Sequence, residues 1–179
     1  MKTALQALRT LLVLTLLTGL LYPLLVTAIA QLVFPRQAKG SLARNGDKII
    51  GSELLAQKFE NPRYFWPRPS AADFATIPSG ASNKGPTSEE LRKAIAERRQ
   101  HFGADAPADL LAASGSGLDP HLSPAAARHQ VVRLAQARNL PPEKLAALVD
   151  QLTEGPQLGF LGEPRVNVLA LNRALDELR

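Results

Sequence analysis

The pattern of apolar and polar positions divides the chain in two. Residues 11–34 carry no charge, and most are Leu, Val, Ile or Ala. As an α-helix this run is roughly 36 Å long, enough to cross a hydrocarbon layer of about 30 Å with some tilt. Thr15, Gly19, Pro23, Thr27 and Gln31 recur at every fourth position. One slowly drifting face therefore carries small, polar or helix-distorting groups, and leucines cover the rest. Small residues at that spacing let a partner helix approach closely. Pro23 lacks a backbone N–H, which predicts a kink and a freed carbonyl at Gly19 that a protein contact would satisfy.

Behind the span the pattern becomes that of a small domain. Residues 35–47 read as a polar connector and 48–51 as a short strand closed by Gly51. Ser52 is placed to cap a short helix carrying Leu54, Leu55 and Phe59. Prolines at 62, 67, 69, 78 and 86 exclude a long regular element between them. Thr87 and Glu90 form a capping box for a helix with Leu91 and Ile95 on its apolar face and Gly103 as its stop. Ser123 followed by Pro124 opens another helix, lined by Ala127, Val131, Leu134 and Ala135 and closed by Asn139. Pro141 and Pro142 open a third, with Leu145, Leu148, Val149 and Leu152 as its buried stripe before Gly155. Residues 114–117 read as a loop and 157–162 as a strand. Residues 166–178 read as a final amphipathic helix with Val168, Leu171, Leu175 and Leu178 inward. The expected class is α+β: one transmembrane helix, then one small helix-rich domain with short strands. The expected organisation is a tail at 1–10, a span at 11–34 and a globular domain at 35–179.

Composition narrows what that domain can do. The 179 residues contain no cysteine, three histidines and 5% aromatics, with a net charge of +5. This is material for one domain whose core is built from Leu, Ala, Val and Ile. The histidines, at 101, 121 and 129, lack the spacing of a metal motif. Beyond residue 34, nineteen basic residues face sixteen acidic ones, a mild and scattered excess that argues against nucleic acid binding. Lys2 and Arg9 with Ala28-Ile29-Ala30 have the form of a cleavable leader, but the apolar run is longer than a leader's and continues past that point, which favours an uncleaved anchor. A free exported enzyme would require cleavage after Ala30. Arg36, Lys39, Arg44 and Lys48 behind the span would place the domain in the cytoplasm by a positive-inside count, a weak indication for a long domain.

Candidate chemistry is sparse. Gly80-Ala81-Ser82-Asn83-Lys84 begins like a nucleophile elbow, yet Lys84 stands where the closing glycine belongs, and the Gly-Lys-Ser/Thr ending of a phosphate loop is missing. Backbone amides of Ser79, Gly80, Ser82 and Asn83, with Lys84 nearby, form a candidate anion or nucleotide loop. A tight structural turn is the simpler reading. The loop at 114–117 has no paired base, and His121 reads as a surface or cap residue. Three consecutive aromatics, Tyr64, Phe65 and Trp66, precede Pro67-Arg68-Pro69-Ser70. Phe65 reads as a structural anchor, while Trp66 and Arg68 are candidates for a partner contact. No nucleophile, base and orienting group occur together.

These residues also carry a likeness. The chain resembles the KdpC family, the small accessory subunit of the bacterial Kdp potassium-transporting P-type ATPase, over essentially its whole length. The matching residues are Thr18-Gly19 and Tyr22-Pro23-Leu24-Leu25 in the span, then Gly51-Ser52, Gln57, Phe59, Tyr64-Phe65, Arg68-Pro69-Ser70 and Ser79-Gly80 with Ser82-Asn83. They continue through Ser116-Gly117-Leu118-Asp119, Gln130, Ala137-Arg138-Asn139-Leu140, Val166-Asn167-Val168, Leu171-Asn172 and Ala174-Leu175-Asp176. Ala81 departs from the family's usual glycine; if that position required positive φ, alanine would be strained there. Lys84 stands where an apolar residue is common.

The resemblance implies a cytoplasmic N-terminus, one inner-membrane span and a periplasmic domain. It implies a complex with a channel-like potassium-translocating subunit, an ATP-hydrolysing P-type subunit and a very small membrane peptide. It further implies a catalytic chaperone that raises the ATP affinity of the hydrolysing subunit, with ATP and potassium handled by the complex and no cofactor or catalytic residue in this chain. A nucleotide-binding chaperone using the 79–84 loop remains the alternative from a different class.

Overall fold

The computed structural model describes residues 2–178, which fall into two compact units divided between Leu42 and Ala43. In the first, α1 (Lys2–Leu16), a π-helical turn (Leu17–Leu21) and α2 (Tyr22–Val33) follow without interruption, and a short α3 (Pro35–Ala38) comes after them. The apolar helix spans Lys2–Val33, 32 residues, and is long and apolar enough to cross a membrane. It begins well before residue 11, because the polar tail is itself helical. Helix continues through Ala28-Ile29-Ala30 without a break. Pro23 falls in the first turn of α2, just behind the π turn, where Tyr22 N–H bonds the Leu17 carbonyl five residues back. The Thr27 hydroxyl donates to the Pro23 carbonyl and that of Thr18 to the Leu14 carbonyl, both at 2.7 Å.

The second unit mixes short strands with helices. Its elements are β1 (Leu42–Asn45, beginning at the preceding unit's edge), β2 (Lys48–Ser52), α4 (Glu89–Phe102), α5 (Ala108–Leu111), β3 (His121–Leu122), α6 (Pro124–His129), α7 (Val131–Arg138), α8 (Pro142–Gln151), β4 (Thr153–Glu154), β5 (Arg165–Asn167) and α9 (Val168–Glu177). β1 pairs with β2, and a three-stranded sheet runs in the order β3-β5-β4, both of its pairings antiparallel. Leu122, Leu134, Leu145, Val149, Val166, Leu171 and Leu175 pack around Phe65, which is fully buried. The core is thus aliphatic apart from one phenylalanine, as the composition implies.

Several expected elements differ. Residues 53–55 turn and 56–59 form no regular element: the Ser52 hydroxyl accepts from Leu54 N–H two residues on and no helix follows. The first-turn cap of α4 is Ser88, which accepts from Leu91 N–H, and Glu90 pairs outward with Lys84 instead of closing a box with Thr87. Leu91 and Ile95 are only half-buried. The helix expected from Ser123 to Asn139 is two helices joined at Gln130, whose side chain is recruited elsewhere. The expected connector contains α3 and β1, and the expected start of the last helix is β5, because Val166 pairs with both Leu122 and Thr153. Residues 157–162 form an exposed turn with one internal bridge, with Leu158, Gly159 and Gly162 all at positive φ. The caps at Ser123, Gly103 and Asn139 lie where expected, Asn139 at φ 54.

Candidate functional site

The proline-rich segment is gripped by side-chain amides. A segment with so many prolines and no strand partner cannot satisfy its peptide groups by a ladder, and buried ones must find partners. Asn172, 2% exposed, accepts from Phe65 N–H at 2.8 Å and donates to the Phe65 carbonyl at 3.0 Å. Gln130, equally buried, does the same for Trp66, at 2.9 and 3.0 Å. Oriented to satisfy both its amide atoms, Gln57 donates to the Ile50 carbonyl at 3.1 Å and accepts from Ser52 N–H at 3.2 Å. It occupies the space that a side chain on Gly51 would need. Asn167 accepts from Ala170 N–H to cap α9 and donates to the Glu53 carbonyl at 2.8 Å.

Two arginines complete the grip. Arg133 donates to the Tyr64 carbonyl at 2.9 Å and to Gln130 Oε1 at 2.8 Å, and burial pushes its pKa down to about 10. Arg138 reaches the Arg63 carbonyl at 2.7 Å and Asp176 at 2.7 Å, while the Tyr64 hydroxyl donates to the same carboxylate at 3.0 Å. The sequence reading gives none of these six side chains a hydrogen-bonding role; all four amides and Arg138 enter it only among the residues that carry the family likeness. The available signal was the presence of Gln and Asn on otherwise apolar helix faces.

Trp66 is half-buried, and two side chains pack on its ring. The Arg133 guanidinium lies 4.0 Å from the ring centroid and His101 stacks on the ring at 4.8 Å. Its Nε1 donates to the Asn61 carbonyl at 3.1 Å. Arg68 meets Asp119 at 3.0 Å, and its buried Nε faces no acceptor among the described residues. Asp119 also accepts from His121 N–H at 3.0 Å. The contact with His121, and then that with Arg68, holds the Asp119 carboxyl below its usual range. His121 thus belongs to a structural network, beside a cavity of about 350 Å³ that Arg68, Asp109 and Glu163 also line.

The 79–84 loop borders a different cavity, of about 450 Å³, lined among others by Ser70, Ala81, Ser82, Lys84 and Arg98. Lys84 pairs with Glu90 and lowers that carboxyl's pKa. Arg98 donates to the Leu111 carbonyl at 2.6 Å, and burial lowers its pKa. Positive φ falls at Asn83, not at Ala81, so alanine is unstrained there. Gly80 and Asn83 lie on the loop's half-buried and exposed sides respectively, and Ser79 is exposed. Buried Ser114 ties the neighbouring loop down, donating its N–H to the Pro69 carbonyl at 2.9 Å. In the other unit, Thr15 lies in α1, Gly19 in the π turn, and Pro23 and Thr27 in α2. A π turn takes more residues than an α turn, so it offsets the drift of a four-residue stripe at this point.

An apolar helix long enough to cross a bilayer, followed by a domain whose irregular segment is held by buried amides, has the build of a membrane-anchored protein. The family described as KdpC, K+-transporting ATPase, c chain, matches residues 4–177, and the chain belongs to this family. It is similar to the potassium-transporting ATPase KdpC subunits of Methylococcus capsulatus (55% identical, over 97% of this chain and 96% of the relative) and Sorangium cellulosum (53%, 97% and 96%). The subunit of that name from Geobacter sulfurreducens is 49% identical over 99% of both chains. The chain is accordingly an accessory subunit of a potassium-transporting ATPase.

Proposed function

We propose that this subunit is non-catalytic and stabilises an ATP-driven potassium importer through contacts, with its N-terminus in the cytoplasm and residues 35–179 in the periplasm. The family match over 4–177 carries the reading, because it takes in the apolar helix and the domain together. The Thr15, Gly19, Pro23 and Thr27 face serves as the packing surface for a partner helix, and Trp66 and Arg68 as contacts of the domain. The partners are a channel-like translocating subunit, an ATP-hydrolysing P-type subunit and a small membrane peptide, and these handle potassium and ATP. The gripped 61–70 segment supports a role through contacts, since a preordered surface loses little entropy on docking. From the periplasm, a chaperone effect on ATP affinity is indirect and requires different contacts with two states of the pump.

Two experiments test this. Protease added to intact spheroplasts should cut the domain, and deletion of residues 35–179 should abolish high-affinity potassium uptake. A protected domain refutes the topology; normal uptake by the truncated chain refutes the role. A second reading, direct nucleotide contact, draws on the cavity that Ser82 and Lys84 share with Arg98. Saturable ATP binding to the purified chain, lost in Lys84→Ala, would favour it.

A further inference from the structure

The connection between β4 and β5 exposes apolar surface that the domain itself does not use. Leu158 is 82% exposed, Phe160 75% and Leu161 50%. The turn is ordered: Gln157 and Leu161 exchange both backbone hydrogen bonds at 2.9 Å, and Phe160 N–H donates to the Gln157 carbonyl at 3.2 Å. Its base is fixed by the Glu154–Arg165 pairing, with a 3.0 Å ion pair, and by fully buried Val166. Leu158 sits at φ 53, a region that glycine and asparagine accept and that disfavours leucine. Leucine there is unfavourable for the domain alone on two independent counts, backbone conformation and exposure. A contact with another molecule that covered this turn would offset both.

The surrounding charges select the kind of partner. Residues 151–164 include Glu154 and Glu163 but no lysine or arginine, and Arg165 is engaged with Glu154. Apolar tips that enter anionic membranes are flanked by basic residues, which this one lacks. An apolar centre with an aromatic, a charged rim and an adjoining recess of about 260 Å³ lined by Gln157, Leu161, Glu163 and Arg165 has the build of a protein interface. We infer that residues 157–162 form a rigid docking knob that inserts Leu158 and Phe160 into an apolar recess on another protein subunit of the assembly. This rests on the reading of the chain as a subunit that acts through contacts.

The test places a photo-cross-linking residue at Leu161 of the full-length chain, in cells producing the whole potassium-transporting ATPase. Irradiation should join the chain to another subunit of that ATPase, identified by mass spectrometry. Leu158→Asn and Phe160→Ser should each cut the yield on the order of ten-fold, while Leu158→Asn leaves the melting temperature of the chain unchanged or raised. Cross-links only to lipid, only to a second copy of this chain, or to nothing overturn the knob even where the unaltered chain still co-purifies the other subunits. If the unaltered chain co-purifies none of them, the subunit reading falls and the knob falls with it.

Discussion

Replacing Asn172 by leucine should release the aromatic segment from the core. Among the described residues Asn172 alone satisfies both peptide groups of Phe65, at 2.8 and 3.0 Å, and both residues are shielded from water. A leucine of similar size leaves a buried N–H and a buried carbonyl without partners, at about 1–3 kcal/mol each. The added apolar surface returns roughly 1 kcal/mol. The expected net loss is about 3 kcal/mol, a large part of the roughly 5–15 kcal/mol that holds a domain together. For a domain of this size that is a drop in melting temperature on the order of 10 °C, read by circular dichroism on the full chain in detergent. Asn172→Asp separates the hydrogen-bond argument from simple packing. Its carboxylate still accepts from Phe65 N–H but sets a second acceptor against the Phe65 carbonyl, so the folded state favours the protonated acid. The folded-state pKa is then raised above the unfolded value, and the variant should recover stability relative to wild type as pH falls toward the ordinary carboxylate range. A leucine variant melting within about 2 °C of wild type, or an aspartate variant without recovery in acid, would refute the reasoning.

Other outcomes follow from the same geometry. The Asp119 carboxyl is held below its usual range by His121 and then Arg68. Its stabilisation is therefore fully present above about pH 4, the unfolded value, and lost as pH falls through the lower folded value. With side chains 26% and 31% exposed in the Arg68–Asp119 pair, Asp119→Asn should cost about 1–2 kcal/mol at neutral pH. The denaturation midpoints of variant and wild type should converge in acid, and a difference that stays constant to pH 3 would count against the pairing. Gly117→Ala should destabilise by about 2 kcal/mol, since φ is +73 and a Cβ would lie 2.9 Å from the Gly80 carbonyl oxygen; an unchanged urea midpoint contradicts this. Gly19→Leu should weaken association with a partner helix, and undiminished co-purification in detergent would remove that surface.

The parts of this molecule legible from residues alone are those with local causes. The apolar run, the Ser123 cap, the left-handed Asn139 stop, the proline that opens α8 and the stripe on α9 are each written within a few neighbouring positions. The errors share a different origin. The expected capping box is one residue early: with Ser88 as the cap its third helical position is Leu91, and Glu90, one position before it, pairs with Lys84. The 157–162 stretch has strand-like content, but it connects β4 to β5, which pair antiparallel with each other, so the chain reverses here and Gln157 bridges Leu161 instead of a separate strand.

The candidate sites divide along the same line. Trp66 and Arg68 stand out by residue type, but their surroundings depend on Gln130, His101, Arg133 and Asp119, which lie far along the chain. The amides of Asn172 and Gln130 meet peptide groups 107 and 64 residues away. Neither helical periodicity nor capping chemistry carries information over such separations, because both arise from contacts within a turn or two. An apolar run long enough to span a bilayer, the caps at Ser123, Gly103 and Asn139, and an aliphatic core follow from short-range pattern and composition. Which peptide groups the buried amides satisfy, and which apolar side chains are left facing outward, follow from how the helices close around the irregular segment.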